Sequence, residues 1–349
     1  MFETFWGNAH VTAALERMVE HDRIAQTLLF AGPEGIGKAT LARRIGARLL
    51  GGAEKIENDD LSLPHNAAII TGREKWTAEK RNEDPLLFAT HPDFVTFAPD
   101  GPLRQISIPQ MRQLKESAQF KPSRGNRRVF LIDHVDRAGD QAANSMLKTL
   151  EEPPDHLILI MTAENAYDLL PTIRSRAAPF QFAPLSEEEM RAFVKTRGLD
   201  HPDRRIALSA GSPGVAMSLD LEQYDRRRAA MFMLLRVAAD AAPFSEWMKH
   251  SETIARAKSE KLELYLKVLY MLLRDMLILR EGGEDVRNSD IRPQLEPLSR
   301  KVSFAWIRAA VKKVDELAEL LRRNIQKTIA LDALILELRG AGESPVRSL

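Results

Sequence analysis

A short apolar segment that runs directly into a glycine-rich loop constrains the fold of this chain more than any other feature. Residues 26–31 (QTLLFA) favour a buried strand, and the loop GPEGIGK follows at once at residues 32–38. Residues 40–50 then carry apolar side chains at helical spacing and end before two glycines. A strand, a glycine loop and a helix in this order predict a phosphate-binding loop, because glycines let successive backbone N–H groups surround phosphate oxygens at a helix N-terminus.

Strand and helix patterns alternate along the rest of the first half of the chain. Strands are predicted at residues 93–98, 129–132, 157–161 and 180–182. Helices are predicted at residues 9–22, 106–120, 140–151 and 166–175. Such alternation predicts a mostly parallel sheet with helices on both faces. Residues 51–90 have no clean period and are interpreted as an insertion.

Strand patterns end after Pro184, and the remaining sequence is helical. Ser186 and the three glutamates after it predict a capped helix N-terminus with acids in the first turn. The turn GSPG at residues 211–214 interrupts the short helices that follow. The sequence therefore predicts a nucleotide-binding-type α/β domain at residues 1–184, a small helical lid at 185–221 and an all-α domain at 222–349.

The composition excludes several classes of function. The chain has 349 residues and a net charge of +1, so contact with nucleic acid would need a local basic patch or a partner. It has no cysteine, which excludes disulfides and thiolate metal sites. The N-terminus lacks a signal-peptide pattern, and the most apolar segment is interrupted by Lys267, Arg274 and Asp275. We therefore expect a cytoplasmic protein without a membrane partner.

The candidate nucleotide-binding residues are Gly32, Gly35, Gly37, Lys38, Thr40 and Asp133. In a working phosphate loop the lysine reaches the β- and γ-phosphates, and the hydroxyl of the next residue binds Mg²⁺. Here the residue after Lys38 is Ala39, and a hydroxyl comes one position later at Thr40. One residue along a helix is a rotation of about 100°, so we do not expect the Thr40 hydroxyl at the metal position.

A second departure from a working ATP site lies directly after the predicted strand at residues 129–132. Asp133 matches the carboxylate that holds Mg²⁺ in related ATPases, where an adjacent acid orients the attacking water. The next residue here is His134, which is not an anionic base. Its simplest interpretation is a loop side chain near the edge of the sheet. We expect weak or absent hydrolysis, whereas binding of ATP or ADP, with Mg²⁺ only alongside the nucleotide, stays open.

Several segments together resemble the delta-prime subunits of bacterial DNA polymerase III clamp loaders, a family of AAA+ proteins. These segments are GPEGIGKATLA (32–42), ISIPQMRQL (106–114), RRVFLIDHVDRAGDQAANSMLKTLEEPP (127–154), LLPTIRSRA (169–177) and GSPGVA (211–216). The run AANSMLKTLEEPP is the most specific, because ordinary phosphate-loop ATPases do not carry it. The resemblance covers residues 8–220 well, and the C-terminal helices agree only in length and character.

The resemblance implies an AAA+ module, a helical lid and a C-terminal collar domain through which several subunits assemble. The implied partners are motor ATPase and clamp-opening subunits, a sliding clamp, and the primer–template DNA on which the clamp is loaded. The delta-prime member resembles a stator that need not hydrolyse ATP. Through a Ser-Arg-Cys motif it presents an arginine in trans to the ATP of a neighbouring motor subunit. That motif reads Ser175-Arg176-Ala177 here, so Arg176 is the implied catalytic residue, and a surface salt bridge is the alternative interpretation of this side chain.

The chain departs from the family pattern in three further ways. Many relatives carry a zinc module held by cysteines, and His65 and His91 are too few and too far apart to replace it, so we expect no zinc. Ala177 replaces the motif cysteine, which leaves the charge of Arg176 in place. In motor relatives the lid carries a sensor arginine near the GSPG turn, where this chain has Val215.

Two other functions compete with the non-hydrolysing subunit. An active AAA+ ATPase, either a motor subunit of the same loader or a stand-alone enzyme, would need Ser or Thr in place of Ala39 and Glu in place of His134. A phosphoryl transferase built on a phosphate loop would need a substrate-base motif, and none is recognisable. The sequence therefore favours the non-hydrolysing subunit.

A dense group of basic residues precedes the strand at 129–132. It comprises Lys121, Arg124, Arg127 and Arg128. Contact of this group with the DNA backbone is a further hypothesis, weighed against solvent-exposed charges with no partner.

Overall fold

The computed structural model describes residues 2, 4–257, 260–320 and 326–343, with side chains as far as residue 340. The chain forms two compact units. One comprises Met1–Pro202 and Ser209–Met217, and the other comprises Asp203–Leu208 and Ser218–Leu349. The domain boundaries that the sequence suggests after residues 184 and 221 stay a prediction.

A six-stranded sheet forms the centre of the first unit. The strands are β1 (Thr27–Ala31), β2 (Leu87–Phe88), β3 (Phe94–Phe97), β4 (Arg128–Ile132), β5 (Leu157–Ala163) and β6 (Ala178–Gln181). They lie in the order β2-β3-β4-β5-β1-β6, and all pairs are parallel except β2 with β3. Every residue of β1, β3, β4 and β5 is buried, as in parallel sheets covered on both faces. The predicted mostly parallel sheet is confirmed.

Helices cover both faces of this sheet. The helices of the chain up to residue 218, whether or not they contact the sheet, are α1 (Ala9–Glu20), α2 (Lys38–Leu50), α3 (Ala53–Glu57), α4 (Pro64–Arg73), α5 (Ala78–Glu83), α6 (Ile108–Ala118), α7 (Asp140–Glu151), α8 (Pro171–Arg174), α9 (Glu187–Arg197), α10 (Pro202–Ser209) and α11 (Pro213–Ser218). On one face, Leu114 of α6 and Met146 of α7 share an apolar cluster with Leu159 of β5. On the other, α2 approaches β3 so closely that a Cβ on Gly46 would lie 2.4 Å from the Phe94 ring.

Residues 51–90, in which the sequence shows no clean period, contain α3, α4, α5 and β2. These helices have at most 10 residues, too few to display a period. Buried arginines hold the segment in place. Arg43 Nε lies 3.2 Å from Glu57 Oε2, and Arg73 Nη2 lies 2.8 Å from the buried Asp100 carboxylate. Ion pairs of this kind leave no periodic signal, which is why the elements were missed.

The predicted helix at residues 166–175 is wrong in its continuity. The segment is a 3₁₀ turn, Ala166–Asp168, followed by the four-residue α8. Pro171 opens α8, and the preceding Leu170 has ψ of 134°, outside the helical region. A proline lacks the N–H that a continuous helix needs and disfavours helical backbone in the residue before it.

The second unit is helical, as the sequence predicts. Its longer helices are α12 (Leu221–Ala238), α13 (Phe244–Arg256), α14 (Leu262–Arg280), α15 (Arg292–Lys301), α16 (Phe304–Leu320) and α17 (Lys327–Glu343). One apolar core joins them and includes Trp247, Leu269, Leu272, Trp306 and Leu334. Across the ranges that the structure covers, no helix combines the length and apolar character that crossing a membrane requires.

Candidate functional site

The phosphate loop joins β1 to α2 in the backbone conformation that its glycines permit. Gly35 and Gly37 have φ of +72° and +98°, in the left-handed region that residues with a Cβ rarely occupy. Gly37 is the N-cap of α2, which begins at Lys38. The loop therefore presents backbone N–H groups at a helix N-terminus, the arrangement that binds anions.

The Lys38 ammonium folds back onto this loop. Its Nζ donates hydrogen bonds to the carbonyl oxygens of Gly32 at 2.6 Å and Pro33 at 2.8 Å, and the residue is 6% exposed. Burial lowers the pKa of Lys38, and the carboxylates of Asp133 and Glu164 oppose that shift. The side chain that would reach phosphates in a working site is thus a structural part of the loop.

The GSPG turn packs directly against the phosphate loop. The Gly214 N–H donates to the Gly35 carbonyl at 2.8 Å, and Ser212 Oγ donates to the Glu34 carbonyl at 2.5 Å. A Cβ on Gly214 would lie 2.7 Å from the Gly35 oxygen, closer than real Cβ atoms approach. A Cβ on Gly35 would lie 2.9 Å from the Val215 nitrogen, so the sensor position contacts the loop through its backbone.

A small cavity lies beside the first turns of α2. Its lining includes Phe5, Trp6, Thr40, Arg44 and Phe193. It measures about 140 Å³, whereas ligand pockets usually measure about 300–1,000 Å³. Thr40 lines this cavity, among aromatic and basic side chains. The Phe5 ring also lies so close to the loop that a Cβ on Gly37 would be 2.8 Å from it.

Asp133 lies at the carboxyl end of β4 and is 8% exposed. Thr162 of β5 fixes its orientation, because Thr162 Oγ1 donates to Asp133 Oδ1 at 2.5 Å. Thr162 Oγ1 in turn accepts a hydrogen bond from the His134 N–H at 2.8 Å. His134 has a φ of +56° and is half-buried. The charge of Asp133 opposes the lowering of the Lys38 pKa, so these two candidate residues interact electrostatically.

A convergence of metal-ligand side chains at this edge of the sheet was missed in the sequence. Ligand atoms of His134, Asp136 and Glu164 lie within 4.8 Å of one another. Among the residues that the structure describes, these are the ones that could share a metal ion. Imidazole with carboxylates suits transition metals and zinc. Strand order is the signal that could have revealed this group. His134 and Asp136 follow β4 and Glu164 follows β5, and these two strands are parallel neighbours.

Arg176 follows α8 and is anchored by three hydrogen bonds. Nη1 donates to the Thr172 carbonyl at 2.8 Å and to Ser175 Oγ at 3.2 Å. Nη2 donates to Glu151 Oε1 at 2.7 Å, and the Arg176 side chain is 32% exposed. These partners belong to α7, α8 and the residue after it, so within the described ranges no hydrogen bond joins Arg176 to the phosphate loop. A partly exposed, anchored guanidinium is suited to binding an oxyanion of another molecule.

The structure divides the basic group at residues 121–128. Arg128 is buried and donates from Nη1 to the Ser117 carbonyl at 2.5 Å, near the end of α6, so the proposed DNA contact is wrong for this residue. Arg127 Nη2 lies 2.5 Å from Asp22 Oδ1. Lys121 and Arg124 are exposed. Sequence clustering could not separate an arginine that caps a helix from one that faces solvent.

Curated relatives match this chain over much of its length. DNA polymerase III subunit delta' of Escherichia coli (strain K12) is 28% identical over 254 residues, which cover 71% of this chain and 74% of that protein. The subunit delta' of Bacillus subtilis (strain 168) is 26% identical, covering 94% of this chain and 95% of that protein. Subunit gamma/tau of Mycobacterium tuberculosis (strain ATCC 25618 / H37Rv) is 30% identical over 54% of this chain, which spans only 29% of that relative.

Among solved structures, a DNA polymerase III gamma subunit-related protein from Thermotoga maritima aligns with 94% of this chain and 99% of its own. The sequence identity of that pair is 16% and the TM-score is 0.46.

Family profiles match both halves of the chain. The family described as "DNA polymerase III, delta subunit" matches residues 7–186, more than half of the chain. The family described as "DNA polymerase III, delta subunit, C terminal" matches residues 227–340. The parallel sheet with its phosphate loop, followed by helices, is of the AAA+ class. The chain belongs to the family of DNA polymerase III delta-prime subunits, which are clamp-loader subunits.

Proposed function

We propose that this chain is a largely non-hydrolysing stator of a clamp loader that supplies Arg176 in trans to the ATP site of a neighbouring motor subunit. One observation carries the proposal. The guanidinium of Arg176 is anchored yet partly exposed, in a chain whose own loop has Ala39 and His134 where a hydrolytic site needs a hydroxyl and an acid. The chain thus offers a cation to another molecule and lacks two groups that hydrolysis at its own loop would need.

The chemistry of phosphoryl transfer supports this division. Negative charge spreads over the transferring γ-phosphoryl group, and an arginine from another subunit can stabilise it. Arginine suits this task because its planar guanidinium stays charged and offers several fixed N–H donors. Among the residues that the structure describes, Arg176 uses three of these donors, which leaves the Nε–H and one Nη2–H for an oxyanion.

The alternative is an active motor, which the glycine conformation at Gly35 and Gly37 favours. Three features oppose it. Ala39 has no hydroxyl for Mg²⁺, His134 replaces the acid that orients water, and the GSPG turn is bonded to the loop at Gly35. A motor would need other residues at positions 39 and 134 and a GSPG turn that releases the loop.

The proposed partners follow from this role. They are the motor and clamp-opening subunits, the sliding clamp and primer–template DNA, which we place in the cytoplasm with the replication machinery. Lys121 and Arg124 are the exposed members of the basic group and are the ones proposed to meet the DNA backbone. A lid at residues 185–221 and a collar at 222–349 complete the proposed organisation.

The test is steady-state ATP turnover, first of the isolated chain and then of the reconstituted loader with clamp and primed DNA. We expect no turnover by the isolated chain and a sharp loss of loader turnover with Arg176→Ala. Arg191→Ala is the matched control, because Arg191 forms an equally short 2.7 Å pair with Glu187 on the exposed side of α9. Robust turnover by the isolated chain would support the motor instead.

A further inference from the structure

Arg176 is held between two elements that are each fixed by the core. Leu150, the residue before Glu151, is 4% exposed, and Ile173 of α8 is 1% exposed. Both belong to one apolar cluster beneath the sheet. The backbones that carry Glu151 and Arg176 are therefore anchored in the same packed layer, and their side chains meet above it at 2.7 Å.

The contacts of Arg176 define one orientation of the guanidinium. The Thr172 carbonyl and Ser175 Oγ accept from Nη1, while Glu151 accepts from Nη2. Acceptors on both terminal nitrogens fix the plane of the group, which a single acceptor would not do. Of these acceptors, only Glu151 comes from outside the immediate α8 segment, 25 residues earlier in the chain.

We infer that Glu151 is a positioning residue for Arg176, which it orients for the neighbouring subunit's ATP; this rests on the proposed function. An unrestrained arginine loses side-chain rotamer freedom when it is fixed. A partner that fixes it beforehand removes part of that loss from the transition state. The pair is 32% and 49% exposed, so it is weak enough to leave the guanidinium accessible.

The test is loader ATP turnover with Glu151→Ala and Glu151→Gln. We expect Glu151→Ala to lower kcat by about threefold to tenfold with an unchanged KM for ATP, because only transition-state contact is lost. Glu151→Gln keeps an acceptor oxygen and is expected to restore at least half of the lost kcat. Glu187→Ala is the matched control, since it removes an exposed 2.7 Å pair elsewhere.

A double substitution separates positioning from a structural effect. With Arg176→Ala already present, Glu151→Ala should cause no further loss of kcat, because the residue acts only through Arg176. The inference is overturned if Glu151→Ala leaves or raises kcat, or lowers it equally in the Arg176→Ala background. If Arg176→Ala itself has no effect while the loader assembles normally, the proposed function fails instead.

Discussion

At the scale of one residue, Lys38 contributes hydrogen bonds that stabilise its own phosphate loop. Its ammonium has three N–H donors and binds two carbonyl oxygens of its own loop, from Gly32 and Pro33. Burying a charged group without such partners would be costly. The hydrogen bonds therefore make Lys38 part of the structure that connects β1 to α2.

We predict that Lys38→Met destabilises the fold without affecting the loader. Loss of the ammonium leaves two carbonyl oxygens without a donor, which should lower the free energy of unfolding by about 1–3 kcal/mol. ATP turnover of the reconstituted loader should stay at the wild-type level, because this loop holds no catalytic ATP in our account. Urea unfolding and loader turnover check the two parts, with exposed Lys195→Met as the control. A loss of turnover with unchanged stability would contradict the account.

Residue types alone single out Lys38, Ala39, His134 and Arg176 as the positions that bear on nucleotide chemistry. The reason is that a charge, a hydroxyl or a carboxylate is either present or missing at each of them. The same reasoning failed for Arg128. An arginine that binds DNA and an arginine that caps a helix have identical chemistry, and only the burial of Arg128 against the end of α6 separates them.

At the scale of elements, the segment with α3, α4 and α5 carries an unusual buried acid. Asp59 is 1% exposed; its Oδ1 accepts from the Thr90 N–H at 3.1 Å, and its Oδ2 has no hydrogen-bond partner in the described part of the chain. Burial raises the pKa of Asp59, and the hydrogen bonds of Thr90 only partly oppose the shift. The folded chain therefore holds a proton on Asp59 more tightly than the unfolded chain.

We predict that Asp59→Asn stabilises the protein near neutral pH. A carboxyl with a raised folded pKa favours folding when it is protonated. That contribution is lost as the pH rises from the unfolded pKa, about 3.9, through the folded pKa. Asparagine keeps an acceptor for Thr90 and has no charge to bury. The unfolding free energies of the two proteins, measured across pH 3.5–8, should diverge in favour of the variant as the pH rises. Equal pH profiles would contradict the assignment.

Replacing glycine by alanine is expected to change the free energy of unfolding in opposite directions at two positions of the chain. Gly214→Ala places a Cβ 2.7 Å from the Gly35 carbonyl oxygen, so the GSPG turn must shift from the phosphate loop. We expect a loss of about 1–3 kcal/mol in the free energy of unfolding. Gly72 lies within α4 with nothing within 4 Å, so Gly72→Ala should add about 0.4–1 kcal/mol. Thermal unfolding measures both, and a neutral Gly214→Ala would show that the contact is not tight.

The fully buried strands follow from short continuous apolar runs, and the longer helices follow from a buried face that repeats along each of them. The contact of the GSPG turn with the phosphate loop cannot be predicted from such patterns, since Ser212 and Glu34 are 178 residues apart. Periodicity reports which face of an element is buried and not which distant segment covers it. The same limit concealed α3, α4 and α5, whose order depends on Arg43 and Arg73.

At the scale of the whole molecule, the proposed stator contributes a fixed group to a neighbouring subunit and has no catalytic cycle of its own. We predict that millimolar MgATP leaves the melting temperature of the isolated chain unchanged. A nucleotide at one hundred times its Kd would add about 2.7 kcal/mol to the stability of the folded state. A clear rise in melting temperature would mean that the phosphate loop opens to bind nucleotide.

The measurement that tests the central claim most directly is the burst of phosphate release by the reconstituted loader on primed DNA. With Arg176→Ala, the account predicts a burst amplitude lower by about one phosphate per loader, because the one motor site that this chain faces loses its arginine. Arg191→Ala should retain the full burst. An unchanged burst with Arg176→Ala, in a loader that assembles normally, would contradict the claim that this chain acts in trans.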